Sequence, residues 1–209
     1  SSAFNNLTLD SGLVGYWKFD EGTGTVAKDS SRSGNDGTLT NMAGDDWVTT
    51  NTGTTTFYNP YALDFDGVND YVSIDNSKLN NLSNGSLSMW MKWDEIEDFY
   101  YFDRAAPRIL LFRGGANDEL QFHTAGASFS TTDVNLQTGR WYHVMTTWNS
   151  PNNDRKIYVD GVERATSTAS FDTGGAISGV AIIGASNGFS LNFNGSIDET
   201  MIFNRSISA

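Results

Sequence analysis

Four aromatic residues follow one another at positions 99–102 (Phe-Tyr-Tyr-Phe), with Arg104 close behind them. Successive side chains of a strand point to opposite faces, so this run places two rings on each face. Sugars stack their apolar C–H faces on accessible aromatic rings, and a few polar groups fix their orientation. This pattern predicts a platform for a sugar or another partner that includes Tyr100, Tyr101 and Arg104. The alternative is an edge strand buried beneath a neighbouring loop.

A long polar stretch, residues 42–59, carries two further aromatic residues, Trp47 and Tyr58. Its composition is typical of a loop insertion, because Gly, Asn, Asp and Thr favour turns and irregular backbone. Aromatic side chains on such a loop are candidates for the same ligand-binding surface. We therefore add Trp47 and Tyr58 to the predicted ligand-binding residues.

An acidic segment at residues 94–98 is the best candidate for hydrolytic chemistry, because glycoside hydrolysis needs two carboxylates across the scissile bond. In a strand, Glu95 and Glu97 would share one face. The segment follows the end of an apolar strand, however, and a loop is expected there. The two histidines, His123 and His143, show no spacing that indicates a zinc site or a catalytic triad. We therefore predict a protein without catalytic activity, with a glycoside hydrolase as the less favoured interpretation.

The 209-residue chain has 13 basic and 25 acidic residues, a formal net charge of −12, and no cysteine. This charge argues against nucleic acid as a partner, because phosphate binding needs clustered Lys and Arg. The absence of cysteine excludes disulfides and thiol chemistry, and no apolar run is long enough to span a bilayer. Most of the acids are aspartates, which are typical of turns and are also good ligands for calcium.

Short apolar runs separated by turn residues recur along the whole chain, with almost no helical periodicity. The clearest hairpin signal is Asp160-Gly161 between two β-prone runs, because a type I′ turn needs positive φ at both central residues. About a dozen strands of this kind are typical of a two-sheet sandwich. We therefore predict an all-β fold, a two-sheet antiparallel β-sandwich.

Several segments, taken together and in order, resemble the laminin-G-like jelly roll of the concanavalin A-like lectin/glucanase superfamily. They lie at residues 15–24 (GYWKFDEGTG) with 29–39, 62–72, 86–92 (SLSMWMK), 139–161 and 193–205. The resemblance implies a jelly-roll β-sandwich domain over residues 13–209, after a polar N-terminal lead-in at 1–12. A fold shared by lectins, binding modules and hydrolases does not by itself define a function.

The resemblance also implies that the strand that bears Phe19 and Asp20 and the last strand, which bears Asp198, are neighbours. Related domains often hold Ca²⁺ between such strands and the loop at residues 29–37. Asp20, Asp29, Asn35 and Asp198 are therefore the predicted metal ligands, and the ion is expected to be structural. The alternative is that these side chains cap turns by accepting backbone hydrogen bonds.

These observations predict a non-catalytic extracellular or cell-surface module that binds a glycan, with calcium as its structural ion. We expect it to be one module of a larger protein or assembly. The alternative is a protein-binding or architectural module of a surface protein or filament. Neither nucleic acid nor membrane insertion by this segment is expected.

Overall fold

The computed structural model describes residues 11–207, except 51–58, 76, 78, 80–81, 106, 115–118, 125–126, 133, 174–178 and 189. Short 3-10 turns accompany the strands, for example at Gly44–Asp46 and Ser150–Asn152. The first strands are β1 (Leu13–Trp17), β2 (Val26–Ala27), β3 (Gly37–Thr40), β4 (Trp47–Thr49), β5 (Tyr61–Asp66), β6 (Tyr71–Asp75), β7 (Asn84–Trp93) and β8 (Tyr100–Arg104). The others are β9 (Ile109–Arg113), β10 (Leu120–Thr124), β11 (Ala127–Ser130), β12 (Trp141–Asn149), β13 (Asp154–Val159), β14 (Val162–Ser167), β15 (Val180–Ile183) and β16 (Asn194–Phe203).

The strands form two eight-stranded antiparallel sheets. The first sheet has the order β14-β13-β12-β7-β16-β5-β4, and β1 also pairs with β16. The second sheet has the order β11-β10-β9-β8-β15-β6-β3-β2. The predicted all-β sandwich is therefore confirmed, as is the pairing of the first strand with the last.

The core lies between the two sheets, and the alternation of the strands decides which residues enter it. Leu87, Met89, Met91 and Trp93 of β7 are all buried in this core, as their spacing predicts. The intervening side chain of Trp90 is exposed on the outer face of the first sheet. Each outer face of the sandwich is thus a separate surface, lined by every second residue of its strands.

The hairpin predicted at Asp160-Gly161 joins β13 to β14, and both residues have positive φ, 50° and 76°. Another left-handed residue, Glu199 at φ 49°, lies where β16 shifts register against β7. Such a bulge re-aims the side chains beside it. The bulge begins directly after Asp198 and therefore determines where the side chains of Asp198 and Glu199 point.

Among the described residues, no helix reaches the length and apolar character that a membrane crossing needs.

Candidate functional site

The aromatic segment forms β8, which lies inside the second sheet between β9 and β15 rather than at an edge. A register shift between Tyr100 and Phe102 turns two consecutive rings, Tyr101 and Phe102, into the core. Tyr101 is 0% exposed, and its hydroxyl accepts a hydrogen bond from Trp93 Nε1 at 2.9 Å. The prediction that Tyr101 belongs to a surface platform is therefore wrong.

Arg104 is also fully buried and contributes to the interior instead of the surface. Its guanidinium donates to the carbonyl oxygens of Leu79 at 3.0 Å and Thr173 at 3.1 Å. A buried cation needs such acceptors to replace water. The predicted ligand-binding role of Arg104 is therefore replaced by a structural one.

Trp47 lies on β4, the edge strand of the first sheet, and is buried against the core. Its Nε1 donates to the carbonyl of Gly24 at 3.2 Å. The prediction that it lies exposed on a loop is therefore wrong, because β4 pairs with β5 and the Trp47 ring packs into the core. Tyr58 lies outside the described residues.

Tyr100 is the predicted ligand-binding residue that stays accessible, half-buried on the outer face of the second sheet. Its ring stacks on that of Phe112, the residue opposite it on β9, with centroids 5.3 Å apart and planes 21° apart. The guanidinium of Arg108 lies 5.8 Å from the centroid of the Tyr100 ring. Tyr100 and Phe112 thus form a continuous aromatic surface with a cation at one side.

Arg108 is held in place by Asp103, a fully buried carboxylate on the same outer face. Arg108 Nε and Nη2 donate to the two oxygens of Asp103 at 3.0 and 2.7 Å. The backbone N–H of Asn187 donates to the same carboxylate at 2.8 Å. A bidentate fork of this kind fixes the plane of the guanidinium, while 40% of the Arg108 side chain remains exposed.

His123 extends the same surface onto β10, where it lies opposite Leu110. Its Nδ1 is 2.8 Å from Ser128 Oγ. Burial and the nearby Arg108 cation lower the pKa of His123, so the ring is neutral at neutral pH. We call the surface formed by Tyr100, Asp103, Arg108, Phe112 and His123 the Tyr100 platform.

Four of these five residues were not predicted from the sequence. Three of them, Arg108, Phe112 and His123, share the two-residue period, because residues 108, 110 and 112, and likewise 121 and 123, share a face once β9 and β10 are recognised. Asp103 on β8 lies outside this pattern. That signal does not say which face is buried, and the bulge in β8 changes the face of Tyr101.

Two of the predicted metal ligands, Asp29 and Asn35, organise a turn. The oxygens of Asp29 accept hydrogen bonds from Tyr16 N, Ser31 N and Oγ, and Asn35 N, at 2.7 to 2.9 Å. The Asn35 side-chain amide donates to the carbonyl of Val14 at 2.6 Å. With both oxygens hydrogen-bonded, Asp29 matches the turn-capping alternative.

Asp198 lies in a second group, which includes Asp20 and Glu199. It is 3% exposed and accepts hydrogen bonds from Asn59 Nδ2 at 2.9 Å and from Glu199 N at 2.8 Å. Glu199 in turn accepts a hydrogen bond from the hydroxyl of Tyr16. Burial, with the nearby Glu199 and Asp20 carboxylates, raises the pKa of Asp198 to about 7. The pKa values of Asp20 and Glu199 are raised as well, chiefly by burial.

This second group offers a cation two kinds of oxygen ligand. The Oδ1 atoms of Asp20 and Asn59 are buried and accept no hydrogen bond from any residue that the structure describes. Carboxylate and amide oxygens are the ligands that Ca²⁺ prefers. In the same described part of the chain, however, no three His, Asp or Glu side chains are arranged to hold a metal ion. The oxygen ligands of this group are of the kind that calcium prefers. The four predicted ligands do not come together in one site, and calcium binding stays a prediction.

The acidic segment considered for hydrolysis forms the surface connection between β7 and β8, as expected. Glu95 and Glu97 are both exposed there, outside any strand. Asp98 pairs with Arg113 at 3.7 Å. The alternating geometry that would place two catalytic carboxylates on one strand face is therefore not formed by this segment.

Two antiparallel sheets enclosing one core, with the first strand paired to the last, define a concanavalin A-like β-sandwich. A family model for the concanavalin A-like lectin/glucanases superfamily, of the laminin-G type, matches residues 66–209. The chain belongs to this superfamily, and the resemblance found in the sequence is confirmed. No curated protein sequence matches the chain.

Several solved structures share the fold. Domain 4 of AbnA, a GH43 extracellular arabinanase from Geobacillus stearothermophilus, solved with arabinotriose, has a TM-score of 0.70 and 20% identity, with 95% of each chain covered. Trypanosoma rangeli sialidase with the inhibitor DANA has a TM-score of 0.66 and 17% identity over 95% of this chain and 31% of the sialidase. The receptor-binding domain of botulinum neurotoxin mosaic serotype C/D has a TM-score of 0.66 and 14% identity, over 96% and 49%. The chain therefore spans less than half of the last two proteins, and identities this low show the fold alone.

Proposed function

We propose that this chain is a non-catalytic carbohydrate-binding module that acts outside the cell, and that it binds neutral oligosaccharides on the Tyr100 platform. One observation carries the proposal: the accessible stacked pair of Tyr100 and Phe112 lies beside a guanidinium that Asp103 holds rigidly. The rings supply an apolar surface for the C–H face of a sugar. The fixed donors beside them supply orientation.

Preorganisation makes this arrangement suitable for a ligand rich in hydroxyl groups. Arg108 loses little side-chain freedom when a sugar binds, because its plane is already set by Asp103, and such preorganisation lowers the cost of binding. The neutral ring of His123 both donates and accepts hydrogen bonds. Sugar hydroxyls have the same dual character, so they satisfy both partners.

The charge balance favours a neutral sugar over an acidic one. The positive charge of Arg108 is compensated by the buried Asp103 carboxylate at 2.7 Å. The whole chain carries a formal charge of −12, which repels anionic ligands at a distance. We therefore expect arabino-oligosaccharides and other neutral glycans to bind better than sialylated ones.

The comparisons support the same proposal at a coarser level. Over 95% of its length, the chain is similar in fold to a domain that was solved with a bound trisaccharide and comes from an extracellular enzyme. A domain of a larger enzyme that was solved with a bound oligosaccharide supports the proposal that this chain is a module that binds sugar. We propose the same extracellular location and modular use for this chain.

Replacing Tyr100 with alanine is expected to weaken oligosaccharide binding by roughly tenfold to a hundredfold, because the loss of a central aromatic contact costs about 1.5–3 kcal/mol. Tyr100→Phe keeps the ring and should retain most of the affinity. Isothermal titration with arabinotriose, after a screen of neutral and sialylated oligosaccharides, measures the effect. Tyr71→Ala is a matched control, because Tyr71 lies two strands away on β6 of the same sheet.

Equal affinities for the Tyr100→Ala and Tyr71→Ala variants would contradict the placement of the site. If the wild-type protein binds no glycan in the screen and binds a protein ligand instead, the proposed function is overturned and the alternative of a protein-binding module is supported.

The proposal includes a structural calcium ion beside Asp198. The group around Asp198 combines crowded carboxylates with the two buried oxygens of Asp20 and Asn59 that receive no described hydrogen bond. A cation there would offset the repulsion between the carboxylates and join the segment after β1 to β16. Asp20, Asp198 and Asn59 are the residues that would hold it.

Adding calcium should raise the melting temperature, and EDTA should reverse the increase. An ion that binds only the folded state stabilises it by RT ln(1+[L]/Kd), about 2.7 kcal/mol at a hundredfold excess over Kd. Asp20→Asn should remove this gain, while Asp29→Asn should destabilise the turn with or without the ion. Melting curves that do not change between calcium and EDTA would contradict the calcium proposal without affecting the sugar platform.

A further inference from the structure

The outer face of the first sheet carries an exposed tryptophan. Trp90 is 42% exposed in the middle of β7, a central strand of that sheet. The other large hydrophobic side chains exposed in the described part of the chain are aliphatic: Val26, Val68, Val162 and Leu191. Exposing a large aromatic ring to water is unfavourable relative to burying it.

Polar side chains surround Trp90. The ring of His143 lies 5.3 Å from it, and His143 Nε2 is 2.7 Å from Ser88 Oγ. Asp198 on β16 lies directly opposite Trp90 in the strand pairing. Ser88, His143 and Asp198 already hydrogen-bond to other protein atoms. A sugar ring can stack on the indole while its hydroxyl groups, which both donate and accept, lie against this polar surround.

A cavity of about 300 Å³ opens on the same face, over β12 and β13, and Ser206 and Ile207 from the segment after β16 complete its lining. Its lining includes Thr147, Asn149, Asp154, Lys156 and Tyr158. This set combines an aromatic wall with both donors and acceptors, as pockets for small polar ligands do. The Oδ1 atom of Asn149 is buried and accepts no hydrogen bond within the described part of the molecule, so it is available to a hydroxyl donor.

The cavity and Trp90 lie along one line of the sheet. His143, beside Trp90, and Thr147, at the cavity, are both on β12 and point to the same face, as residues two and four apart do. Four residues of strand span roughly 14 Å. An oligosaccharide lying along β12 can therefore contact both.

We propose that this outer face is a second carbohydrate-binding site, in which one sugar ring stacks on Trp90 and another enters the cavity beside Asn149. The inference rests on the proposed function, because it takes the same class of ligand. The Tyr100 platform lies on the second sheet and Trp90 on the first, so the two sites face opposite sides of the sandwich. One module then links two glycan chains.

Stoichiometry tests the second site. Isothermal titration of the whole chain with arabinotriose, or with the best neutral ligand from the glycan screen, should give two sites for the wild type. Trp90→Ala and Tyr100→Ala should each leave one site, and the double variant none. Asn149→Ala should weaken sugar binding at the Trp90 site by about tenfold, because one hydrogen bond to the sugar is lost. Val162→Ala, which removes another exposed apolar side chain of the first sheet, should leave both sites intact.

The outcomes separate this inference from the function on which it rests. A single site, lost in Tyr100→Ala and unaffected by Trp90→Ala, would overturn the second site and support the first. A single site lost only in Trp90→Ala would support the second and contradict the Tyr100 platform. No sugar binding by the wild type would overturn both. The precipitation of a neutral polysaccharide by the wild type, and its loss in either single variant, would independently support two sites on one chain.

Discussion

Replacing Asp198 with asparagine is expected to stabilise the protein at pH 8 and to change its stability little at pH 4. Asp198 is 3% exposed, with a pKa of about 7 against an ordinary value of 3.8. The folded state therefore binds a proton that the unfolded state releases between these pH values. Stability contributed by the protonated group is complete below about pH 4 and is lost as the pH rises through 7.

The size of the effect follows from the same two pKa values. Their difference corresponds to about 4 kcal/mol, because each factor of ten in a proton affinity is worth about 1.4 kcal/mol. Asparagine removes the buried charge and keeps the shape. The asparagine oxygen can still accept a hydrogen bond from Glu199 N. If the Asn59 amide flips, its Oδ1 atom, which accepts no described hydrogen bond, can accept one from the new amide.

Urea unfolding at several pH values measures this prediction. The wild type should lose stability from pH 5 to pH 8, and Asp198→Asn should lose much less. The residual slope comes from other raised carboxyls, such as Asp70 with a pKa of about 6. Asp94→Asn, which removes an exposed acid, is the matched control for net charge. Parallel profiles for wild type and Asp198→Asn would contradict the prediction. Calcium, if it binds, should flatten the wild-type profile alone.

The fold was predictable because its signals are local. The alternation of Leu87, Met89, Met91 and Trp93 marks one buried face of a strand, and Asp160-Gly161 marks a hairpin by the φ values that its turn needs. These patterns depend on residues close together in the chain. The order of the segments supplied the rest, since it matches that of a known superfamily.

The candidate sites were only partly predictable because their geometry depends on irregular backbone and on distant partners. A bulge in β8 places Tyr101 in the core and leaves Tyr100 accessible. Another bulge, in β16, begins directly after Asp198 and changes where the Asp198 and Glu199 carboxylates point. Neither bulge has a sequence signal as clear as a glycine turn. Arg108 gains its role from Asp103, which lies five residues earlier on β8. The short connection between β8 and β9 brings the two side chains together.

Replacing the buried Arg155 with lysine is expected to destabilise the fold by about 3 kcal/mol. Arg155 is 0% exposed although it lies in a polar hairpin sequence. Its Nη1 donates at 2.8 Å both to Thr124 Oγ1 and to the carbonyl of Ala127. The guanidinium also lies between the rings of Phe129 and Phe171, at 5.1 and 4.7 Å.

The physical reason is the planar fork of arginine. It joins β13 of the first sheet to β10 and β11 of the second, and Nη2 also reaches Ser167 Oγ on β14 at 3.0 Å. A lysine ammonium is a compact, strongly hydrated charge that cannot bridge these acceptors from between two rings. Its burial would leave acceptors unpaired and lower the pKa of the substituted amine through desolvation.

Chemical denaturation compares Arg155→Lys with Arg140→Lys, the same change at an exposed position. Arg140 pairs with Asp160 at 3.0 Å in water, and exposed pairs contribute at most about 1 kcal/mol. The Arg155 variant should therefore be the less stable by about 2 kcal/mol or more. Equal losses would show that the guanidinium of Arg155 is not what holds the two sheets together at this end, and that the aliphatic part of its side chain, which lysine retains, is sufficient.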